Sequence, residues 1–200
     1  MRPAGYCVID RIRCKWCGSE PIYTEYHDVE WGFPVYDSRE LFELLNLEGA
    51  QAGLSWITVL KKRSRYQQVF DNFEPKKMAV YDEIKRTELL SDAGIIRNKL
   101  KVNAFIENAK AYLKMEALGE DFSGFIWGFV DGESLLNGYT SMAELPAQTK
   151  LSGSMSEALK EKGFRFVGPT ICYAFMQAAG LVNDHTIDCF RRTEVPSVGF

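Results

Sequence analysis

Apolar residues recur at helical spacing along almost the whole chain, whereas the alternation typical of strands is rare and short. The longest helical pattern covers residues 97–119, where Leu100, Ala104, Ala111 and Leu118 fall on or near one face and Gly119 ends the helix. Residues 131–153 are the most loop-like region. We therefore predict an all-α fold. Because the sequence has no internal repeat or low-complexity linker, we predict one domain over residues 1–200.

One acidic residue interrupts the apolar face of a helix predicted over residues 39–48, just before a second predicted helix at 52–63. Glu48 follows Leu41, Leu44 and Leu45 by seven, four and three positions, so the four side chains share a face. A carboxylate that faces a core is costly unless it is ion-paired, hydrogen-bonded or functional. The sequence leaves open whether Glu48 binds a ligand, pairs with a buried arginine or caps a helix.

Composition is that of an ordinary soluble globular protein, with 46% hydrophobic and 26% charged residues. No apolar run approaches the ~20 residues that span a bilayer, so no membrane partner is expected. The N-terminal residues lack the apolar core and cleavage site of a signal peptide. The cysteine count of five is odd and favours a reducing compartment over a disulfide framework. We therefore expect a cytoplasmic location.

Charge is unevenly distributed along the chain. The net charge of −3 taken alone argues against a nucleic-acid partner. Residues 61–114, however, carry thirteen Lys or Arg against seven Asp or Glu, with basic runs at 61–65, 75–77 and 97–101. A local basic face suits phosphate binding of modest affinity. The alternative, in which these runs are solvated helix faces, is favoured on charge alone.

Both histidines of the chain stand near a cysteine, at opposite ends of the sequence. Cys14 precedes His27 by thirteen positions, and Cys189 follows His185 by four. Two Cys and two His form a common closed zinc site, which here would join the N- and C-terminal segments. Hydrogen-bonded histidines and ordinary buried thiols are equally compatible with this spacing. Cys17 adds an ambiguity, since C-x2-C is itself a common ligand spacing.

Residues 156–180 have the pattern of a helix, a tight connector and a second helix, with helices predicted near 154–162 and 169–180. Gly163 can supply the positive φ that ends the first helix. Gly168 stands before Pro169, a favoured first helical residue. Free backbone N–H groups at a glycine-flanked helix start form a natural phosphate site. A plain helical hairpin without a ligand is the alternative.

A set of aromatic residues lies within about one helical turn, or one loop, of Glu48 or of a candidate metal ligand. Aromatic faces stack on flat bases, and tyrosine hydroxyls orient polar edges. An aromatic-rich core is the alternative, and the carboxylate among these residues is what favours a pocket for a base or another small molecule. The members of this set are Trp16, Tyr23, Tyr26, Trp31 and Trp56.

Four stretches of the sequence are long and distinctive. They are Y-x2-YHD-x2-WG at residues 23–32, LEGAQAGLSWITVLKKR at 47–63, DAGIIRNKLK at 92–101 and GFRFVGPTICYAFMQAAGLVNDH at 163–185. Together they resemble the 3-methyladenine DNA glycosylase I family, from about Cys14 to Cys189. The resemblance implies an all-helical helix-hairpin-helix fold with a structural zinc. It also implies an enzyme that hydrolyses the N-glycosidic bond of 3-methyladenine in alkylated DNA.

The resemblance also implies roles for individual residues. The R-C-x-W context at residues 13–16 marks Cys14, rather than Cys17, as the first zinc ligand, and the other ligands are His27, His185 and Cys189. Glu48 is the expected catalytic residue, which recognises the positively charged base. The expected base pocket consists of Trp56, Tyr26, Tyr23, Trp16 and Trp31. The expected DNA-binding residues are Gly53 and Leu54, which wedge into the duplex, and Gly163, Phe166, Val167, Gly168 and Thr170 of the hairpin.

The implied cofactor is one structural zinc per chain, and the implied partners are alkylated double-stranded DNA and free 3-methyladenine as product. We expect a monomer. Asp184 lies where many helix-hairpin-helix glycosylases carry a catalytic acid, but it adjoins a proposed zinc ligand and is not expected to be catalytic. No Lys stands there either, so no lyase step is expected.

Two other classes of function remain open at this point. A zinc-stabilised helical DNA-binding module without catalysis would need the hairpin and the zinc but not Glu48. An enzyme that acts on a free cationic or purine-like ligand would need the pocket but not the hairpin.

Overall fold

The computed structural model describes residues 11–194, most of which are helical. This confirms the prediction of a mostly helical chain. Four short 3-10 helices, at Lys15–Cys17, Asp71–Phe73, Gly128–Val130 and Met142–Glu144, supplement the α-helices. The α-helices in this range are α1 (Pro21–Val29), α2 (Ser38–Gln51), α3 (Trp56–Leu60), α4 (Arg63–Val69), α5 (Pro75–Met78), α6 (Glu83–Ser91), α7 (Lys99–Ala117), α8 (Phe122–Trp127), α9 (Lys150–Lys162), α10 (Pro169–Ala178) and α11 (Arg191–Glu194).

Side-chain caps determine where several helices begin. The carboxylate of Asp37 accepts hydrogen bonds from the backbone N–H groups of Arg39 and Glu40 at the start of α2. Asn98 caps α7 in the same way. Such caps each contribute about 1 kcal/mol to stability. At α9, Thr149 and Ser152 form a reciprocal capping box, which is why this helix starts at Lys150 and not near 154 as predicted.

The predicted helix at 52–63 is also shorter than expected. Residues 52–55 form a tip between α2 and α3, because Ala52 leaves helical geometry with a ψ of 117° and Gly53 continues the turn with a φ of 76°. The backbone N–H of Leu54 donates to the carbonyl of Gln51 at 2.7 Å and closes this tip. The tip lies directly beyond the last turn of α2, one turn from Glu48.

The core is built around α2, whose Leu41 and Leu45 are fully buried and which packs against α7, α8 and α10. The prediction for α7 was partly wrong. Ala104 and Ala111 are buried, but Leu100 and Leu118 are 69% and 66% exposed. The buried face of α7 is rotated relative to the apolar spacing because polar residues take part in it.

Strands are as scarce as predicted. Within residues 11–194 they comprise β1 (Leu135–Leu136) and β2 (Val182–Asn183), which pair in parallel with Leu135 opposite Val182. This pairing joins the loop-like region to the segment just before His185. One cluster of buried apolar residues extends from Cys14 to Cys189. The prediction of one domain over residues 1–200 stays a prediction, since it includes residues outside the described range.

None of the helices within residues 11–194 is long and apolar enough to cross a membrane.

Candidate active site

Four predicted ligands from the two ends of the chain meet in a buried cluster. The candidate ligand atoms of Cys14, His27, His185 and Cys189 all lie within 4.8 Å of one another. The sulfur of Cys189 is 3.4 Å from Nε2 of His27 and 3.5 Å from Nδ1 of His185. The sulfur of Cys14 is 3.5 Å from the same Nδ1. These four residues form a group that could hold a metal ion.

Neighbouring acceptors determine which nitrogen of each imidazole faces the sulfurs. Nε2 of His185 lies 3.2 Å from the carbonyl of Trp31, which only accepts, so this nitrogen carries the proton. Nδ1 of His27 lies 2.8 Å from the carboxylate of Asp28 and donates to it. The unprotonated nitrogens are therefore Nδ1 of His185 and Nε2 of His27, the latter of which also accepts from the backbone N–H of Cys14 at 3.3 Å. Both are directed into the cluster, as metal binding requires.

Cys17 is buried but stands outside the cluster, as the resemblance implies. Its thiol donates to the carbonyl of Cys14 at 3.2 Å. Within the cluster, a hydrogen bond between the two thiols raises the pKa of Cys14 and lowers that of Cys189. One sulfur is therefore readily ionised even before a cation compensates its charge.

Glu48 lies in the wall of a cavity of about 160 Å³, close to the size of cavities of about 150 Å³ that accept a single aromatic ring. The five predicted aromatic residues all line this cavity, so the sequence grouped them correctly. The remaining lining residues are Gln51, Met142, Leu145, Ala174 and Gln177. Met142 and Leu145 come from the loop-like region, which the sequence did not connect with the pocket.

The carboxyl of Glu48 is buried without compensation. The residue is 4% exposed, and its Oε2 has no hydrogen-bond partner among residues 11–194. No ion pair within this range includes Glu48, so the alternative of a buried arginine partner is not supported. Burial raises the pKa of Glu48 to about 8. Burial thus favours the neutral form of the Glu48 carboxyl over the carboxylate.

The aromatic wall packs directly on the metal-ligand cluster. The ring centroid of Trp31 is 4.6 Å from that of His185, and the ring centroid of Trp16 is 5.4 Å from that of His27. The indoles of Trp16 and Trp31 also contact each other at 4.9 Å. On the other side, Tyr26 packs at 5.4 Å from Trp56. Disorder in the cluster would therefore be transmitted to the pocket wall.

The pocket adjoins a second cavity of about 180 Å³, which lies between the tip and the start of α10. Glu48, Gln51 and Ala174 line both cavities. The other lining residues are Ala52, Gly53, Leu54, Thr170 and Ile171. Leu54 is 45% exposed. An apolar tip and a helix N-terminus therefore flank the entrance to the Glu48 pocket.

The connector between α9 and α10 is held from behind by buried polar groups. Gly163 ends α9 with a φ of 101°, as predicted. Asn108 on α7 accepts from the backbone N–H of Arg165 at 2.7 Å. The hydroxyl of Ser156 donates to the carbonyl of Val167 at 2.6 Å. These bonds fix the connector to α7 and α9.

The outward side of this connector is rich in free donors. The backbone N–H groups of Phe166, Val167, Gly168 and Thr170 donate to no acceptor within residues 11–194. Gly168 has an ordinary φ of −64°, and a Cβ placed there would meet open space. The fold itself therefore does not demand glycine at this position.

Two residues of this region were missed by sequence reasoning. Lys101 is 6% exposed, and its ammonium donates to the carbonyls of Ala50 and Ala52 at 2.7 Å each, which anchors the tip. Its only signal in the sequence was its place beside the presumed core position Leu100. Gln177 lines the pocket from α10, and no pattern in the sequence distinguished it.

The basic run at 61–65 is largely neutralised within the chain. Arg63 pairs with Glu30, and Arg65 pairs with Asp92 at 2.7 Å. Lys62 donates to the carbonyl of Ala93. Ion pairs within the chain therefore compensate much of the positive charge of this run.

Comparison with known proteins places this geometry in a family. The family model for methyladenine glycosylase matches residues 16–192. DNA-3-methyladenine glycosylase 1 of Escherichia coli (strain K12) is 52% identical over 177 residues, which cover 88% of this chain and 95% of that protein. A crystal structure of 3-methyladenine DNA glycosylase I has a TM-score of 0.88 at 51% identity, covering 90% of this chain and 98% of the other. A variant of such an enzyme, crystallised in complex with 3-methyladenine, has a TM-score of 0.86 at 36% identity and covers 90% and 97%. The chain belongs to the methyladenine glycosylase family.

Proposed function

We propose that this chain is a DNA repair glycosylase that flips 3-methyladenine out of alkylated double-stranded DNA and excises it by hydrolysis. The observation that carries this proposal is the unpartnered carboxyl of Glu48 in an aromatic pocket that opens between an apolar tip and a helix N-terminus. An enzyme that acts on one base in a duplex must extrude that base into such a pocket. The names of the relatives agree with this substrate.

Glu48 selects the lesion through charge. A base methylated at N3 is a cation while it is attached to the sugar, whereas normal adenine is neutral. The cation favours ionisation of Glu48, whose pKa burial raises to about 8. Holding the carboxylate at pH 7 then costs only about 1.4 kcal/mol, which attraction to the cation offsets. The carboxylate also accepts a hydrogen bond from the exocyclic amine of the base.

The chemical step is hydrolysis with a good leaving group. The bond between C1′ of the sugar and N9 of the base breaks, and its electron pair goes to the base, which leaves as neutral 3-methyladenine. Water adds its hydroxyl to C1′ and releases a proton. No lysine lines the pocket within the described residues, which supports a monofunctional enzyme without a Schiff-base lyase step.

DNA is held on both sides of the pocket entrance. Residues 156–180 act as a helix-hairpin-helix element, in which the free N–H groups of residues 166–168 and of Thr170 bind a backbone phosphate. Leu54, presented by Gly53, fills the gap that the flipped base leaves in the stack. The enzyme acts as a monomer with a single catalytic domain, in the cytoplasm.

The metal in the four-residue cluster is zinc, and its role is structural. Four ligands placed tetrahedrally at about 2.0–2.3 Å from zinc lie about 3.5 Å from one another. The nitrogen-to-sulfur distances of 3.4 and 3.5 Å suit this arrangement. Zinc bound by Cys14, His27, His185 and Cys189 would lower the charge of the thiolates and join the two ends of the chain beside the pocket wall.

The decisive experiment is to incubate the protein with methylated duplex DNA and to identify the released base by chromatography. We expect free 3-methyladenine and no strand cleavage. Binding of DNA without release of a base would identify a non-catalytic DNA-binding module and overturn the proposal. Release of the base from a free nucleoside but not from DNA would identify an enzyme for small ligands, which also contradicts it.

A further inference from the structure

A buried carboxylate behind the pocket fixes the orientation of one pocket side chain. Asp184 is 1% exposed, and its Oδ2 accepts from the hydroxyl of Tyr173 at 2.5 Å and from Nε2 of Gln177 at 2.8 Å. Its Oδ1 accepts from the side-chain amide of Asn137 at 2.6 Å. Both oxygens thus have partners inside the protein. Asp184 is not among the residues that line the pocket.

The side-chain amide of Gln177 can satisfy Asp184 in only one orientation. The two carboxyl oxygens of Asp184 are the acceptors for three donor groups that converge on them. The NH2 group of Gln177 must therefore face Asp184, and the carbonyl oxygen must occupy the opposite edge of the amide. Gln177 lines the cavity that contains Glu48. The edge left for this cavity is an acceptor.

The hydroxyls of Tyr23 and Tyr26 and the amide of Gln51 can either donate or accept, so they set no fixed requirement on a base. The aromatic rings and Met142, Leu145 and Ala174 offer stacking or apolar contact, and the indole N–H groups of Trp16 and Trp56 have no partner within the described residues. Glu48 is an acceptor when ionised. A second acceptor of fixed orientation, on a different helix, requires a hydrogen-bond donor on the base. Charge alone does not impose this requirement.

We propose that Gln177 is a specificity-determining residue whose carbonyl oxygen accepts a hydrogen bond from the 6-amino group of the lesion base. Asp184 is the positioning residue that keeps the side-chain amide of Gln177 in this orientation. The inference rests on the proposed function and deepens it. The amino group of 3-methyladenine has two hydrogens, one for Glu48 and one for Gln177. A 6-oxo purine such as 3-methylguanine is equally cationic in DNA, but it presents an oxygen to these acceptors.

This arrangement makes the pocket discriminate between two lesions of the same charge and similar size. Two acceptors that face each other repel, and neither regains the hydrogen bond to water that it lost on burial. Sites built to hydrogen-bond one substrate group reject analogues that lack it far more strongly than apolar pockets reject a change of size. We therefore expect the wild-type protein to excise 3-methyladenine at least about a hundredfold faster than 3-methylguanine.

The first test is Gln177→Met, which keeps the length of the side chain and removes both the acceptor and the bond to Asp184. The variant and the wild type are incubated with duplex DNA methylated by dimethyl sulfate, and the initial rates of release of the two bases are compared. We expect the ratio of 3-methyladenine to 3-methylguanine to fall at least about tenfold. A folded variant with an unchanged ratio overturns the proposal. Should this variant fail to fold, Gln177→Ala, which suits the helix, is used with the same criterion.

The second test acts through Asp184. In Asp184→Asn, the retained oxygen can accept from Asn137, and the new NH2 group then faces Gln177. The amide of Gln177 rotates and presents its own NH2 to the pocket, so discrimination should fall in the same direction as in Gln177→Met. Asn137→Ala is the matched control, because it removes a partner of Asp184 that does not touch Gln177. It should lower stability and leave the ratio of released bases unchanged. Equal ratios in Asp184→Asn and wild type would assign Asp184 a purely structural role and contradict the proposal.

The outcomes separate this inference from the proposed function. A wild-type protein that releases neither base refutes the glycosylase itself. A wild-type protein that releases both bases at equal rates leaves the glycosylase intact and overturns only the role of Gln177.

Discussion

Glu48 and Lys101 are both charged residues that occupy buried faces of helices, yet the structure treats them differently. They are 4% and 6% exposed. Burial raises the pKa of Glu48 and lowers that of Lys101, the same physical effect on opposite charges. Lys101, however, donates to two carbonyls at 2.7 Å, whereas Oε2 of Glu48 has no partner within residues 11–194.

This difference shows that a missing partner, rather than burial alone, indicates a functional site. A buried charge with its hydrogen bonds made contributes to the architecture, here by fixing the carbonyl end of α2 and the tip that follows it. A buried carboxyl without partners lowers the stability of the fold. Such a group is explained when a ligand supplies the hydrogen-bond partner that the protein does not provide.

The largest effect should come from the metal-ligand cluster. We expect Cys14→Ser to lose bound zinc and about 4 kcal/mol or more of stability, because structural zinc contributes on the order of 10 kcal/mol to folding in small zinc domains. This corresponds to a fall in Tm of roughly 8–16 °C. Metal analysis and thermal unfolding measure both losses. Cys17→Ser is the control and should lose neither. Removal of zinc by a chelator should also weaken binding of 3-methyladenine, since the cluster supports Trp16 and Trp31.

A second effect concerns stability as a function of pH. The folded-state pKa of Glu48 is about 8, above its ordinary value of 4.5, so between these values the folded protein binds the extra proton. The contribution of Glu48 to the free energy of unfolding therefore falls as pH rises through this window, by up to about 1.4 kcal/mol per pH unit. In urea titrations, the free energy of unfolding of Glu48→Gln relative to that of the wild type should rise by about 3 kcal/mol between pH 5 and pH 7. A constant difference would show that Glu48 has a partner after all.

Affinity for the free base should respond to the same substitution. Glu48→Gln keeps the shape of the side chain and removes its charge, and a charge-assisted hydrogen bond in a dry pocket contributes roughly 1.5–3 kcal/mol. We expect 3-methyladenine to bind on the order of ten- to a hundredfold more weakly, measured by tryptophan fluorescence. Glu40→Gln, on the exposed part of the same helix, should bind the base normally. Unchanged affinity in folded Glu48→Gln protein would rule out the assigned role.

Lys101 should show the opposite behaviour to Glu48. Lys101→Met leaves the carbonyls of Ala50 and Ala52 without their partner and should cost about 2 kcal/mol of stability. Because the tip loosens while the pocket remains, excision from duplex DNA should slow and binding of free 3-methyladenine should persist. The exposed Lys99→Met serves as the control for lost positive charge. If the affinity of Lys101→Met for the free base fell as far as that of Glu48→Gln, Lys101 would have a role in the pocket as well as at the tip, contrary to this prediction.

The smallest effect is expected at the tip itself. Leu54→Ala should reduce excision from duplex DNA by less than about tenfold, because one exposed apolar side chain contributes roughly 1 kcal/mol to holding the stack open. Excision from single-stranded DNA should be nearly unaffected, since no stack needs to be held. Parallel rate measurements on the two substrates decide this. Equal losses on both would place Leu54 outside the role of a wedge.

The sequence by itself predicted most of the helices, the aromatic lining of the pocket and the residues of the metal-ligand cluster. Helical spacing, capping residues such as Asp37 and Asn98, and the glycine that ends α9 are local signals, and local signals suffice where the chain makes its own hydrogen bonds. Spacing singled out the aromatic set, Glu48 and the Cys and His residues as candidates but left the alternatives open, and the family resemblance chose among them. The predicted start of α3 at residue 52 was wrong, because Ala52 and Gly53 both leave helical geometry before α3 begins at Trp56.

Only the tertiary structure decided which polar groups are satisfied. Lys101 takes a buried position beside an exposed Leu100 because the carbonyl end of another helix, some fifty residues away in sequence, needs a donor. Asp184 orients Gln177 for a similar reason. Whether a buried charge has a partner depends on contacts between distant segments, and helical periodicity carries no information about them. That is why the sequence singled out Glu48 but could not show that it is unpartnered.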